Sequence, residues 1–318
     1  MYSATNRSIW SGRMDSETDE TMFRLHQVIQ AENLSSFTDK QTDLSIGLIG
    51  FKSDEGVRRN QGRIGARHAP DEIRKSLASL PYSFPKQMKI FDFGNISCGD
   101  RQLEKAQAEL GEAVSKLLSL NIFPIILGGG HEVAYGHFLG AQGYISNKEN
   151  IGIINIDAHF DMRPYDDMIS SGTMFRQILD QYHNAQYFCI GIQKSGNTQY
   201  LFDVAKSYGC GYISEEALTE GDINASIQKI QHFINANDHI ILTLCSDVFG
   251  YSYAPGVSAP SPFGLSPKIV RRLIKEVLSS KKVLSFDIAE INPSLDHTGE
   301  TVKLAAYMIY EVMDNLSN

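Results

Sequence analysis

The feature that most limits the fold of this chain is a recurrence of short apolar runs. Eight occur, near 45–51 (SIGLIGF), 88–93 (MKIFDF), 122–127 (IFPIIL), 151–156 (IGIINI), 187–192 (YFCIGI), 210–213 (CGYI), 239–244 (HIILTL) and 283–288 (VLSFDI). Each has the length of a strand, and the near-continuous apolar character suits burial on both faces. Between them lie stretches with apolar residues at helical spacing, such as Leu103 to Leu118 and Gln199 to Tyr208. A last helix is expected from about Thr301 to Met313. Strands alternating with helices imply parallel strands joined by crossovers, an α/β fold. No Pro/Ser-rich linker or repeat divides the chain, so residues 44–318 read as one domain. Residues 1–43 are polar and weakly patterned. They read as an N-terminal arm on the surface, at a subunit contact, with one short helix between Thr21 and Ala31.

Composition excludes some function classes. The 29 basic against 37 acidic residues leave a net charge of −8, with no basic surplus to neutralise phosphates, so no nucleic-acid partner is expected. The four cysteines, Cys98, Cys189, Cys210 and Cys245, form no CxxC and sit in or beside apolar runs, which suits buried thiols in a reducing compartment. The first twenty residues lack the apolar core of a signal peptide, and no run approaches a membrane span. The expectation is a soluble cytoplasmic protein with no membrane partner.

In open parallel sheets the ligand site lies beyond the carboxyl ends of the strands. The run at 151–156 is followed by Asp157, His159 and Asp161, in the order D-x-H-x-D. In an extended chain alternate side chains share a face, so all three would point to one place. Two carboxylates and an imidazole converging there suit a divalent cation. A strand end that is merely polar, with Asp157 capping a helix, is the plainer reading of a lone D-x-H. After 122–127 comes Gly128-Gly129-Gly130-His131-Glu132, where three glycines would let the backbone turn tightly and approach a ligand. This motif lacks the second half of a dinucleotide fingerprint and the Lys-Ser/Thr of a P-loop. After 239–244 come Cys245 and Asp247, again on one face if the strand continues, and after 283–288 comes Glu290. The segment 253–260 is too rich in Pro and Gly to be regular and reads as a wall of the pocket. His131, Asp157, His159, Asp161, Asp247 and, counting its sulfur, Cys245 are too many ligands for one closed zinc. They suit two adjacent divalent ions sharing a carboxylate, an arrangement that activates water for hydrolysis. Manganese, zinc and iron all remain open on ligand chemistry alone.

These motifs, a GGxH, a DAHxD and an SxDxDxxDP-like segment, resemble those of the ureohydrolase family, which holds arginases, agmatinases and formimidoylglutamases. The resemblance covers residues 45 to 313. It implies a three-layer α/β/α domain with an eight-stranded parallel sheet, a binuclear manganese site (two Mn2+) and trimers or hexamers. It also implies that His131, Asp157, Asp161 and the position of Cys245 ligate one ion, and that Asp157, His159, the position of Cys245 and Asp247 ligate the other. Within the family, GVRRNQGRIGARHAPDEIR (56–74), GGGHEVAYGH (128–137), DAHFDMRP (157–164), SSGTMFRQ (170–177), APGVSAP (254–260) and DIAEINPSLD (287–296) look most like the formimidoylglutamase branch. Agmatinases place a histidine where this chain has Ser171, and arginases place one nearby, whereas no histidine falls between His159 and His183 here. Cys245 stands where the family carries a bridging aspartate, and its softer sulfur favours zinc or iron over manganese.

The activity so implied is hydrolysis of N-formimino-L-glutamate to glutamate and formamide, a step of histidine degradation. Asp161 would carry the proton and Glu290 would pair with the amidinium. Arg58, Arg59, Asn60, Arg63 and Arg163 are candidates for the substrate carboxylates, Asn60, Arg63 and Arg163 first. Alternatives are another amidine or guanidine hydrolase of the family, agmatinase- or arginase-like, and a metal-poor member without catalysis.

Overall fold

All eight apolar runs become strands of one sheet. The computed structural model describes every residue except 147, 166, 167, 220, 222 and 318. The strands are β1 (Tyr2–Ser3), β2 (Gln30–Ala31), β3 (Ser45–Lys52), β4 (Lys89–Ser97), β5 (Phe123–Leu127), β6 (Ile151–Ile156), β7 (Ala185–Ile192), β8 (Gly211–Ser214), β9 (His239–Cys245) and β10 (Val283–Ala289). The helices are α1 (Leu25–Val28), α2 (Glu55–Arg59), α3 (Ala69–Ala78), α4 (Leu103–Ser119), α5 (Val133–Tyr144), α6 (Met174–Gln181), α7 (Gln199–Ser207), α8 (Asn224–Asn235), α9 (Pro267–Leu278) and α10 (Glu300–Ser317). Strand order is β1-β4-β3-β5-β10-β9-β6-β7-β8, with β2 also paired to β4. The eight strands β3 to β10 are parallel, as expected, but the sheet has ten strands rather than eight. The two additions come from residues 1–43. Both are two-residue strands recruited to β4, β1 antiparallel and β2 parallel. Two residues are too few to show a hydrophobic period.

Helices cover both faces, giving three layers. Alternation along the strands sorts the side chains between them. In β6, Ile154 and Ile156 join one core with Leu242 and Leu244 of β9, and Ile151 and Ile153 join the opposite core with Ile241. The first core is closed by α3, α8, α9 and α10, the opposite face by α4, α5, α6 and α7. Helix α9 shows why. Its Ile269, Val270, Leu273, Ile274, Val277 and Leu278 form one buried stripe, Pro267 opens its first turn, and the Ser266 hydroxyl accepts the Ile269 N–H. At about 1.5–3 kcal/mol for each large apolar side chain fully buried, that stripe fixes the helix to the sheet.

Within residues 1–43 the helix expected across 21–31 is confined to Leu25–Val28, and the chain turns extended at Ile29 to enter β2. Trp10, Leu25, Ile29 and Leu34 are buried. Trp10 donates from its indole to Asp92 of β4 at 2.7 Å. Asp92 also receives two bonds, at 2.9 and 2.8 Å, from the fully buried Arg74 of α3. Among the described residues no helix is long and apolar enough to cross a membrane.

Candidate metal centre

Strand order decides which loops meet. β5, β10, β9 and β6 are consecutive neighbours in the middle of the sheet. Each delivers acidic, imidazole or thiol groups just past its carboxyl end. His131 lies in the loop between β5 and α5, Glu290 follows β10, Cys245 ends β9, and Asp157 follows β6. Asp247 sits in the 3-10 turn Ser246–Val248. His159 and Asp161 lie in the irregular segment after Asp157.

The expected residues converge, but not by strand alternation. Both β6 and β9 end before the second residue of each motif, and the chain bends. Asp161 adopts φ 49° and Glu290 φ 65°, a region that non-glycine residues avoid. Holding each there costs about 1–3 kcal/mol, which surrounding contacts must offset. For Asp161 and Glu290 the strain aims a carboxylate into the cluster. The glycine expectation also changes. A Cβ on Gly129 would lie 1.8 Å from the Ser53 carbonyl oxygen, and one on Gly128 would lie 2.6 Å from that of Ile288. None of Gly128, Gly129 and Gly130 has positive φ. The small size of Gly128 and Gly129 admits the neighbouring backbone, and that of Gly130 admits the Glu132 and Val57 side chains, rather than a ligand.

Asp157 is the hub. Its Oδ2 lies 3.0 Å from His131 Nδ1 and its Oδ1 lies 3.5 Å from His159 Nδ1. It also accepts the His159 backbone N–H at 2.8 Å and the Asn155 side-chain amide at 3.1 Å. His131 Nδ1 is 2.9 Å from Asp161 Oδ2, and His159 Nδ1 is 3.2 Å from Asp247 Oδ2. Among the described residues two potential ligand groups result, His131–Asp157–Cys245 and Asp157–His159–Asp247, with the donor atoms of each within 4.8 Å of one another. They share Asp157. Glu290 stands beside them, its Oε1 accepting the His131 backbone N–H at 2.9 Å.

The cluster is short of positive charge. Burial pulls the His131 imidazole down, but the bonds and charges of Asp157 and Asp161 outweigh it and hold the group well above its usual value. His159 behaves likewise, with the Asp247 charge as the main opposing cause. Burial would raise Asp157, yet its bonds to the two imidazoles keep it below the usual carboxylate range. Asp161 and Asp247 are raised, by burial and then by the Asp157 charge. Glu290 is raised to about 8 by burial and by the charges of Asp247 and Glu132. Burial and the surrounding carboxylates push the Cys245 thiol well up. Asp247 Oδ1 is buried with no hydrogen-bond partner among the described residues. A carboxylate oxygen so placed normally costs the full desolvation penalty. Divalent cations would fit: they would use that oxygen and balance the carboxylates, and the N, O and S donors suit transition metals.

Residues 44–314 match the arginase family. The chain belongs to that family. Among curated relatives it is 50% identical over 313 residues to the formimidoylglutamase of Geobacillus sp. (strain WCH70), covering 98% of this chain and 96% of the relative. It is 47% identical over 329 residues to that of Clostridium tetani (strain Massachusetts / E88), covering 99% and 96%. Among solved structures, the formimidoylglutamase of Bacillus subtilis subsp. subtilis str. 168 superposes with a TM-score of 0.82 at 23% identity, covering 96% of both chains. The Trypanosoma cruzi formiminoglutamase with Mn2+ gives 0.79 at 24%, covering 90% of this chain and 99% of that one. These likenesses place the fold among arginase-family enzymes.

A pocket of about 110 Å³ opens onto the cluster, lined by Asn60, Arg163, Ser171, Ser258 and Glu290 among others. Of the three polar residues expected first at the substrate, Asn60 and Arg163 are there, and both flank Gly172 closely. Arg163 is exposed, and its guanidinium has no partner among the described residues. Arg63 does not line the pocket. Its guanidinium donates to the carbonyls of Ser258 and Val257, at 2.9 and 2.7 Å, and ties down the 253–260 loop. Arg58 and Arg59 both pair with Glu55. Sequence reasoning missed Glu132, whose buried Oε1 receives Ser53 Oγ and the Gly56 N–H, each at 2.9 Å. That brackets the Asn60 segment to the His131 loop. The adjacent Glu after GGGH was the available signal.

Proposed function

We propose that the chain hydrolyses the formimino C–N bond of N-formimino-L-glutamate, giving L-glutamate and formamide, with two manganese ions as cofactor. What carries this reading is identity of about half over 98% of the chain to a protein named formimidoylglutamase. The site supports it. His131, Asp157, Asp161 and Cys245 would hold one ion, and Asp157, His159, Cys245 and Asp247 the other. When bound, such a pair of ions supplies Lewis acidity and brings the pKa of water toward neutrality.

The chain's own residues supply the rest. The Glu290 carboxylate faces the pocket from a buried position and would pair with the substrate's amidinium, whose positive charge draws Glu290 back toward ionisation. Asp161 Oδ2, bonded to His131 at the cluster edge, would carry the proton to the leaving amine. Arg163 and Asn60 at the pocket lining would receive the substrate's carboxylates. Arg63 acts one step back, by holding the wall of the pocket. Ser171 lines the pocket where agmatinases carry a histidine, which disfavours guanidinium substrates. We place the protein in the cytoplasm, where its four free cysteines stay reduced, and expect a trimer or hexamer. Incubation of the manganese-reconstituted protein with formiminoglutamate, arginine and agmatine tests the reading. Formamide from the first alone supports it. Urea from either guanidinium compound, or no turnover of any, would refute it.

A further inference from the structure

Behind His131 a line of buried polar groups crosses from helix α5 into the middle of the sheet. His131 Nε2 lies 3.0 Å from Thr243 Oγ1 on β9. The Thr243 hydroxyl donates to Asp287 Oδ1 on β10 at 2.8 Å. Asp287 Oδ2 lies 2.5 Å from His137 Nδ1 on α5, and His137 Nε2 lies 2.5 Å from Ser285 Oγ. His131 is 1% exposed, and Thr243, Asp287, His137 and Ser285 are each 0% exposed. Thr243 and Asp287 are register partners on adjacent parallel strands, so their side chains stand together on the face that α5 covers.

Packing alone gives no reason for this line. The surrounding contact between α5 and the sheet is apolar, with Ala134, Phe138 and Ala141 in the core. A buried imidazole–carboxylate pair there costs desolvation that alanine or leucine would avoid. The hydrogen-bond directions suggest what it does. A threonine hydroxyl has one proton, and Asp287 receives it. Thr243 Oγ1 can then only accept, so the His131 ring must present N–H at Nε2. Its Nδ1 is left to face Asp157 and Asp161, at 3.0 and 2.9 Å.

We infer that Thr243, Asp287 and His137 are positioning residues that lock the His131 ring in the tautomer and orientation whose Nδ1 lone pair serves the cluster. This rests on the metal reading above. Thr243 acts directly on the ring, Asp287 orients the Thr243 hydroxyl, and His137 holds Asp287. Outer partners of this kind typically account for 10–100-fold in metal affinity.

The test is manganese binding by the full-length protein, fitted as two sites. Thr243→Val removes the acceptor at nearly constant shape and should weaken one of the two sites by about 10–100-fold. Thr243→Ser restores the hydroxyl and should bind like the parent. His137→Phe should weaken the same site less. Adding it to Thr243→Val should cost nothing further, because both act through one bond. Parent-like binding by Thr243→Val, equal weakening of both sites, failure of serine to rescue, or additive losses would each overturn the relay. A parent that binds no manganese would overturn the metal reading itself.

Discussion

Two buried charged clusters in this molecule invite comparison. At Arg74 and Asp92, neither side chain exposes any surface. All three Arg74 nitrogens and both Asp92 oxygens are hydrogen-bonded. Arg74 also reaches Asn95 Oδ1 and the Gly94 carbonyl, both at 2.7 Å, and Asp92 takes the Trp10 indole and the Gly94 N–H. At the strand ends, four carboxylates, Asp157, Asp161, Asp247 and Glu290, face two imidazoles, with Asp247 Oδ1 unbonded and Asp161 and Glu290 strained. The first cluster is complete and holds residues 1–43 and α3 to the sheet. The second is short of positive charge, and only a ligand that carries it can complete the site. Burial of charge marks both; satisfaction of charge separates structure from function.

Substitutions in each cluster should therefore fail in different currencies. The largest effect is expected at Asp157→Ala, which removes the ligand shared by both groups: turnover should fall to background and most manganese should be lost on dialysis. Full manganese with retained turnover would break the binuclear account. Arg74→Met leaves Asp92 buried without its main partner and should cost about 3–5 kcal/mol of stability, read by urea unfolding, with manganese stoichiometry unchanged in the folded fraction. Lost metal at unchanged stability would reverse the assignment of the two clusters.

Glu290→Gln should keep both metals and lose about 2–4 kcal/mol of transition-state stabilisation, read as kcat/KM for formiminoglutamate. Wild-type kinetics would remove Glu290 from the site. The smallest effects are expected at Cys245, which joins the His131–Asp157 group. Cys245→Asp should tighten manganese and Cys245→Ala should loosen it, with Cys245→Ser between. Identical titrations for all three would make the sulfur mere packing.

The sheet was legible in the sequence because parallel strands buried on both faces are apolar throughout, and β3 and β6 need no partner to be recognised. The residues of the strand-end cluster were legible as chemistry at strand ends, although bends past β6 and β9, rather than alternation, bring them together. What could not be read was whatever depends on a distant partner. β1 and β2 exist only because β4 offers an edge. Arg63 read as a candidate for the substrate carboxylates until the 253–260 loop lay across it. Thr243, Ser285 and Asp287 are polar residues inside apolar strands, and the sequence gives no sign that His137 on α5 meets them.

The claim that the strand-end cluster awaits positive charge is tested most directly by thermal melts with and without manganese at pH 6 and 8. In the metal-free protein Glu290, at about 8, retains a proton that the unfolded chain has released, so stability falls as pH rises; Asp161 and Asp247, raised from the ordinary 3.8, tilt in the same direction. The raised His131 and His159 tilt the same way, since their stabilisation is complete only below the unfolded value of 6.5 and fades above it. Asp157 tilts oppositely, but its window lies at and below the ordinary 3.8, outside this range. Manganese replaces those protons. The account predicts that manganese raises the melting temperature more at pH 8 than at pH 6, saturating at two equivalents per chain. No shift, or an increment that shrinks as pH rises, would contradict it.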